Sequence, residues 1–113
     1  MFALGALLAG GVALSACAGS SGALGDRACG EVAHALTLYR QASHATSARV
    51  AARERARSLT ALSSASRHAA LAAAADPSWQ ALAATLSETS RVPEADVVSA
   101  LQAQCAARVA SWG

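Results

Sequence analysis

Apolar residues recur every three or four positions along most of this chain, the spacing of one face of an α-helix. In residues 27–44 this face carries Cys29, Val32, Leu36 and Tyr39. No segment alternates apolar and polar residues with the period of two of a β-strand. The pattern therefore predicts an all-α fold, with a first helix over about residues 27–44.

A second helix is predicted from about Ser47 to Ala75. The segment 43–47 separates it from the first helix because its Ser and Thr residues favour helix caps over helix interiors. No Gly or Pro marks this boundary. The apolar face predicted for the second helix consists of Ala52, Ala56, Leu59, Leu62, Ser66, Ala70 and Ala73.

Two prolines predict the starts of two further helices. Asp76-Pro77 combines a good N-cap with the residue favoured at the first helical position. Pro93 opens the last helix, where Glu94 and Asp96 suit the helix dipole. The apolar faces predicted for these helices are Trp79, Leu82, Ala83 and Leu86, and then Val97, Val98, Leu101, Cys105, Val109 and Trp112. Both tryptophans are expected in the core.

The N-terminal segment has a different pattern. Residues 2–14 form an uncharged apolar run, shorter than the roughly 20 residues of a membrane span. Its length is typical of the apolar core of a secretory signal peptide. No Arg or Lys follows Met1 as such a peptide's first region would have, so a start upstream of Met1 is one interpretation. We expect residues 1–16 to be a cleaved signal peptide.

The run ends in Leu14-Ser15-Ala16-Cys17, which resembles the lipobox of bacterial lipoproteins. The resemblance implies that Cys17 receives a diacylglyceryl group and becomes the first residue of the mature protein. Two acyl chains anchor stably, so the expected location is the extracytoplasmic face of the cell membrane. The alternatives are a secreted protein cut at an A-x-A-like site, and an uncleaved membrane anchor without lipid.

The segment that follows Cys17 is rich in Gly and Ser, and residues 17–25 are expected to be a lipidated cysteine with a flexible tether. Residues 26–113 would then form the helical domain. Because an exported protein meets oxidising conditions, the two remaining cysteines, Cys29 and Cys105, are predicted to form a disulfide. In an up-down bundle of four helices their two helix ends are neighbours, so the bridge and the helix count support each other.

Composition changes this picture in two ways. Of the 113 residues 33 are Ala, so the apolar fraction of 54% contains few large core side chains. Lys, Ile and Asn are absent and all nine cations are Arg, which is typical of a high-GC genome. Arg49, Arg53 and Arg57 align on one helix face. They are interpreted as a solvated face or as a contact for anionic lipid, an envelope polymer or an acidic protein.

Candidate chemistry is sparse. Glu31 and His34 have the Glu-x-x-His spacing of di-iron bundles, but no second copy occurs, so no metal or cofactor is expected. No nucleophile motif or phosphate-binding loop is present, and the protein is not expected to be an enzyme. Nucleic acid is not an expected partner, because the chain lacks a set of aromatic residues for stacking.

These observations predict a lipid-anchored helical module that binds an envelope protein or polymer. The alternative is a metal-binding or enzymatic bundle that uses Glu31 and His34. In its overall build the chain is similar to small Ala/Arg-rich lipoproteins of high-GC Gram-positive bacteria, most of which have no assigned role.

Overall fold

A computed structural model describes the backbone of residues 2–112 and the side chains of residues 21–106. Over that backbone the chain forms four α-helices and no strand: α1 (Phe2–His44), α2 (Ala48–Ala75), α3 (Gln80–Ser87) and α4 (Val98–Trp112). Short 3₁₀ turns precede α3 and α4 and follow α3. The all-α bundle of four helices that the sequence predicts is confirmed.

The helices α1 and α2 form a long antiparallel hairpin. Three residues connect them, as is common between antiparallel neighbours. The hydroxyl of Ser47 accepts a hydrogen bond from the backbone N–H of Val50 at 3.4 Å and caps α2. The boundary between the two helices, which the sequence left open, therefore lies beside Ser47.

The second half of the bundle begins at the predicted Asp-Pro cap. The Asp76 carboxylate accepts a hydrogen bond from the Ser78 N–H at 3.0 Å, and Pro77 occupies the first position of a 3₁₀ turn that leads into α3. The last helix differs in detail. Pro93 starts only a 3₁₀ turn, Glu94–Asp96, and α4 itself begins at Val98. The acidic residues thus precede α4 instead of lying in its first turn.

The core lies where α3 and α4 cover one face of the hairpin. Trp79 is 3% exposed, Leu82 and Leu86 of the predicted α3 face are buried, and Ala83 is partly buried. Val97, just before α4, and Leu101 of α4 are buried, whereas Val109 and Trp112 lie outside the residues with described side chains. Small residues make up much of the buried surface of the two long helices: Ala28, Ala35 and Ala42 of α1 and Ala65, Ala69 and Ala72 of α2.

Of the face predicted for α2, Leu62 is buried and Ala73 packs against the core, whereas Ala52, Ala56, Leu59 and Ala70 are exposed. The buried residues are Ser58, Leu62, Ala65, Ala69 and Ala72. Leu59 and Leu71 are instead 46% and 59% exposed. Because Ala occupies positions all around this helix, the apolar pattern does not define one face. The helix is rotated so that Ala65, Ala69 and Ala72 are buried together with Leu62, while Leu59 and Leu71 are exposed.

A disulfide joins Cys29 of α1 to Cys105 of α4, with Cα atoms 5.5 Å apart. This separation is ordinary for a disulfide. Cys29 is buried and Cys105 packs against the core. The predicted pairing is present, and it ties the last helix to the first.

Residues 17–25, which were expected to include a flexible tether, are part of helix α1. Ser21 is buried, Leu24 packs against the core, and Gly25 lies directly against the indole of Trp79. This segment continues α1 and packs against Trp79 in the turn before α3. The lipobox and the Cys17 side chain lie outside the described side chains, so lipidation stays a prediction. In the described part of the chain, no helix has the length and apolar character needed to cross a membrane.

Candidate functional site

The face of the hairpin turned away from α3 contains an open groove of about 870 Å³, which we call the α1–α2 groove. Its lining residues are Arg27, Gly30, Glu31, His34 and Leu38 from α1, and Arg53, Ala56, Arg57, Thr60, Ala61 and Ser64 from α2. The floor is mainly apolar and made of small side chains. The charged groups lie along its borders.

Arginines flank the groove at both ends. Ser64 contacts Glu31 and Ser58 contacts Ala35, so the helices run antiparallel along the groove. Arg53 and Arg57 consequently lie at the end near Leu38, and Arg27 lies at the other. All three arginines are exposed.

One of these cations has an acidic neighbour. The Arg57 guanidinium lies 3.4 Å from the Glu54 carboxylate one turn earlier on α2, in an exposed pair that contributes little stability. Arg49, the first residue of the predicted arginine face, is exposed but does not line the groove. The structure therefore brings Arg53 and Arg57 together with Arg27, which the sequence interpretation had not included.

The wall of the groove holds a polar cluster that links the two helices. The Nδ1 atom of His68 lies 2.6 Å from Oε1 of Glu31, and the hydroxyl of Ser64 donates to Oε2 of the same carboxylate. The Glu31 and His68 side chains are only about a quarter exposed. Both carboxylate oxygens are thus occupied by α2, and Glu31 pairs with His68 across the hairpin instead of with His34.

The order of contacts in this cluster differs from that of a catalytic triad. In a triad the imidazole lies between the acid and the nucleophile, whereas here the carboxylate lies between Ser64 and His68. Among the described residues, no three His, Cys, Asp or Glu side chains are close enough to hold a metal ion. What the cluster does in this geometry is fix the register of α1 against α2.

A second polar link lies on the covered side of the hairpin. The hydroxyl of Ser58, which is fully buried, lies 2.8 Å from the Ala35 carbonyl oxygen and also hydrogen-bonds to the Glu94 carboxylate. Its single proton is shared between two acceptors. This contact joins α1, α2 and the turn before α4, so it holds the second half of the bundle in place.

A smaller groove of about 520 Å³ runs beside the disulfide, between α1 and α4. Gly30 lines this groove as well as the α1–α2 groove.

Sequence reasoning missed Ser64 and His68. Their spacing of four residues places both on one helix face, but only the correct rotation of α2 turns that face toward Glu31. Comparison of the chain with protein-family models, curated proteins and solved structures finds no match.

Proposed function

We propose that this protein is a lipid-anchored binding or scaffold module on the extracytoplasmic face of the cell membrane. Its binding surface is the α1–α2 groove, and Cys17 carries the diacylglyceryl anchor. The partner in this proposal is an envelope protein or polymer, and the module itself performs no catalysis.

The observation that carries the location is the pairing of Cys29 with Cys105. Disulfides persist in oxidising compartments outside the cytoplasm. The pairing leaves Cys17 as the odd cysteine, at the end of a lipobox-like sequence that follows an apolar run. The disulfide and the lipobox thus support the same location by separate arguments.

The binding role is supported by the open groove on the uncovered face of the hairpin. Contiguous apolar surface bordered by polar residues is typical of interaction sites. In the groove wall, Ser64 and His68 both contact the Glu31 carboxylate, and this supports a structural and not a catalytic role for the cluster.

The anchor is tested by expressing the full chain and its Cys17→Ser variant in a bacterium with lipoprotein processing. We expect the parent to be in the membrane fraction, with an N-terminal peptide that starts at Cys17 and carries the diacylglyceryl mass. The variant should show neither the cleavage nor the added mass.

Ala18→Ser is the matched control, because it alters the adjacent residue and keeps the thiol. It should behave as the parent does. An unmodified Cys17 in the parent, whether the leader is cleaved or retained, would reject the lipid anchor.

A further inference from the structure

Glycine at position 30 lowers the stability of α1, and nothing inside the fold explains why a glycine is there. It lies in the interior of α1, where Gly is about 1 kcal/mol less favourable than Ala. A Cβ added at Gly30 would meet no atom of the rest of the chain within 4 Å, and no described glycine has a positive φ. Neither packing nor backbone conformation therefore requires a glycine here. Like Gly22 in the same helix, Gly30 leaves open space on the surface of α1, and at position 30 that space belongs to the α1–α2 groove.

The shape of the α1–α2 groove is suited to a helix. The groove follows two antiparallel helices for about three turns each, which corresponds to roughly 16 Å at the helical rise. Its floor is made of small residues, among them Gly30, Ala56 and Ala61. Small residues let helix axes approach closely, and an amphipathic helix binds in such a groove through apolar residues on one face.

The charge of the groove indicates which side chains a helix bound in it would carry. Three exposed arginines border it, and its single acidic residue, Glu31, is already bound by Ser64 and His68. Glu54 partly offsets the charge of Arg57, so Arg27 and Arg53 carry most of the positive charge beside the apolar floor. An occupant that matches the groove has an apolar face with carboxylates along its sides.

We propose that the α1–α2 groove binds an acidic amphipathic helix of a partner protein. This inference rests on the proposed binding role and names the partner's chemistry. A second copy of this chain is a poor match, because the chain is itself basic with a net charge of +2. A lipid acyl chain is also disfavoured, since sites for small ligands bury most of the ligand surface and this groove is open.

The test uses the purified full chain in detergent micelles and a fluorescent designed peptide of about 14 residues, with Leu and Ala on one face and Glu on both sides of it. We expect saturable binding that weakens as salt is raised. The double variant Arg53→Glu/Arg57→Glu should weaken binding by about tenfold or more. Gly30→Leu should abolish binding, because its side chain fills the floor of the groove.

Two controls make the result specific. Arg55→Glu changes the same kind of charge on the same helix outside the groove and should alter affinity by less than about twofold. A peptide with Lys in place of Glu should not bind. Unfolding curves of Gly30→Leu establish that its loss of binding is not a loss of fold.

Three outcomes would overturn the proposal. One is an acidic peptide that does not bind, or that binds equally to the parent and to both groove variants. Another is groove-dependent binding of phosphatidylglycerol vesicles without binding of the peptide. The third is self-association of the parent, measured by sedimentation, that Gly30→Leu removes. None of these outcomes depends on whether Cys17 is acylated, so they are separable from a failure of the proposed anchor.

Discussion

The two faces of the α1–α2 hairpin differ most clearly at two glycines of the same helix. Gly25 lies on the covered face, where a methyl group would overlap the indole ring of Trp79. Gly30 borders the open groove, where a methyl group would contact nothing. Gly25 is required by its packing against Trp79, whereas no contact within the chain requires a glycine at position 30.

This difference separates residues that specify the fold from residues that are available for binding. On the covered face, α3 and α4 bury Trp79 and Leu101 against the hairpin. On the open face, small residues lie between exposed arginines with no element of the described chain over them. Substitutions on the covered face should therefore cause the larger losses of stability, and substitutions of the arginines on the open face should change binding.

The largest effect is expected when the covered face loses its covalent link. Cys29 and Cys105 are 76 residues apart, and the chain-entropy model assigns a bridge of that span about 4–5 kcal/mol. The double variant Cys29→Ser/Cys105→Ser should lose about that much unfolding free energy in urea titrations. Cys17→Ala keeps the bridge and should unfold as the parent does. A loss below about 1 kcal/mol in the double variant would contradict a structural role for the bridge.

The glycine pair should give effects of opposite sign. Gly25→Ala forces a methyl group into Trp79 and should lower the unfolding free energy by about 1–3 kcal/mol, the usual cost of overpacking. Gly30→Ala should raise it by about 0.5–1 kcal/mol, because Ala is the better helix former and meets no neighbour. Thermal and urea unfolding of the two variants measure this directly. Equal destabilisation by both would remove the distinction between the faces.

The smallest effect concerns the polar cluster in the groove wall. A double-mutant cycle of Glu31→Ala and His68→Ala should give a coupling energy of about 0.5–1 kcal/mol, since the pair is partly exposed. The matched cycle of Glu31→Ala and His34→Ala should give a coupling near zero. Coupling to His34 but not to His68 would contradict the contact across the hairpin.

Local signals in the sequence were sufficient for the start of α2 and for the turn into α3, but not for the starts of α1 and α4. Ser47 caps α2 and Asp76-Pro77 starts the turn into α3 as predicted, because both depend on residues next to each other in the chain. The bridge between Cys29 and Cys105 could also be predicted, since two cysteines remained once Cys17 was set apart as the lipidated residue. Contacts that depend on helix rotation could not be predicted in this way.

The rotation of α2 shows why. Leu59 was expected in the core and is 46% exposed, while Ala65 and Ala69 are fully buried. In an alanine-rich helix every face is apolar enough to be buried, and the closest approach of the backbones decides which face is used. The contacts among Glu31, Ser64 and His68 depend on that rotation, so the sequence pattern could not predict them either.

The packed part of α1 begins close to Cys17. This limits the distance between the α1–α2 groove and a membrane in which Cys17 would be anchored. Only three residues lie between Cys17 and the buried Ser21, and Arg27 is the tenth residue after Cys17. Ten residues span about 15 Å as a helix and at most about 35 Å fully extended. An acylated Cys17 would thus confine the groove to a thin layer above the bilayer. A partner helix held in the same layer would meet it at high effective concentration, so even a weak contact would be well occupied.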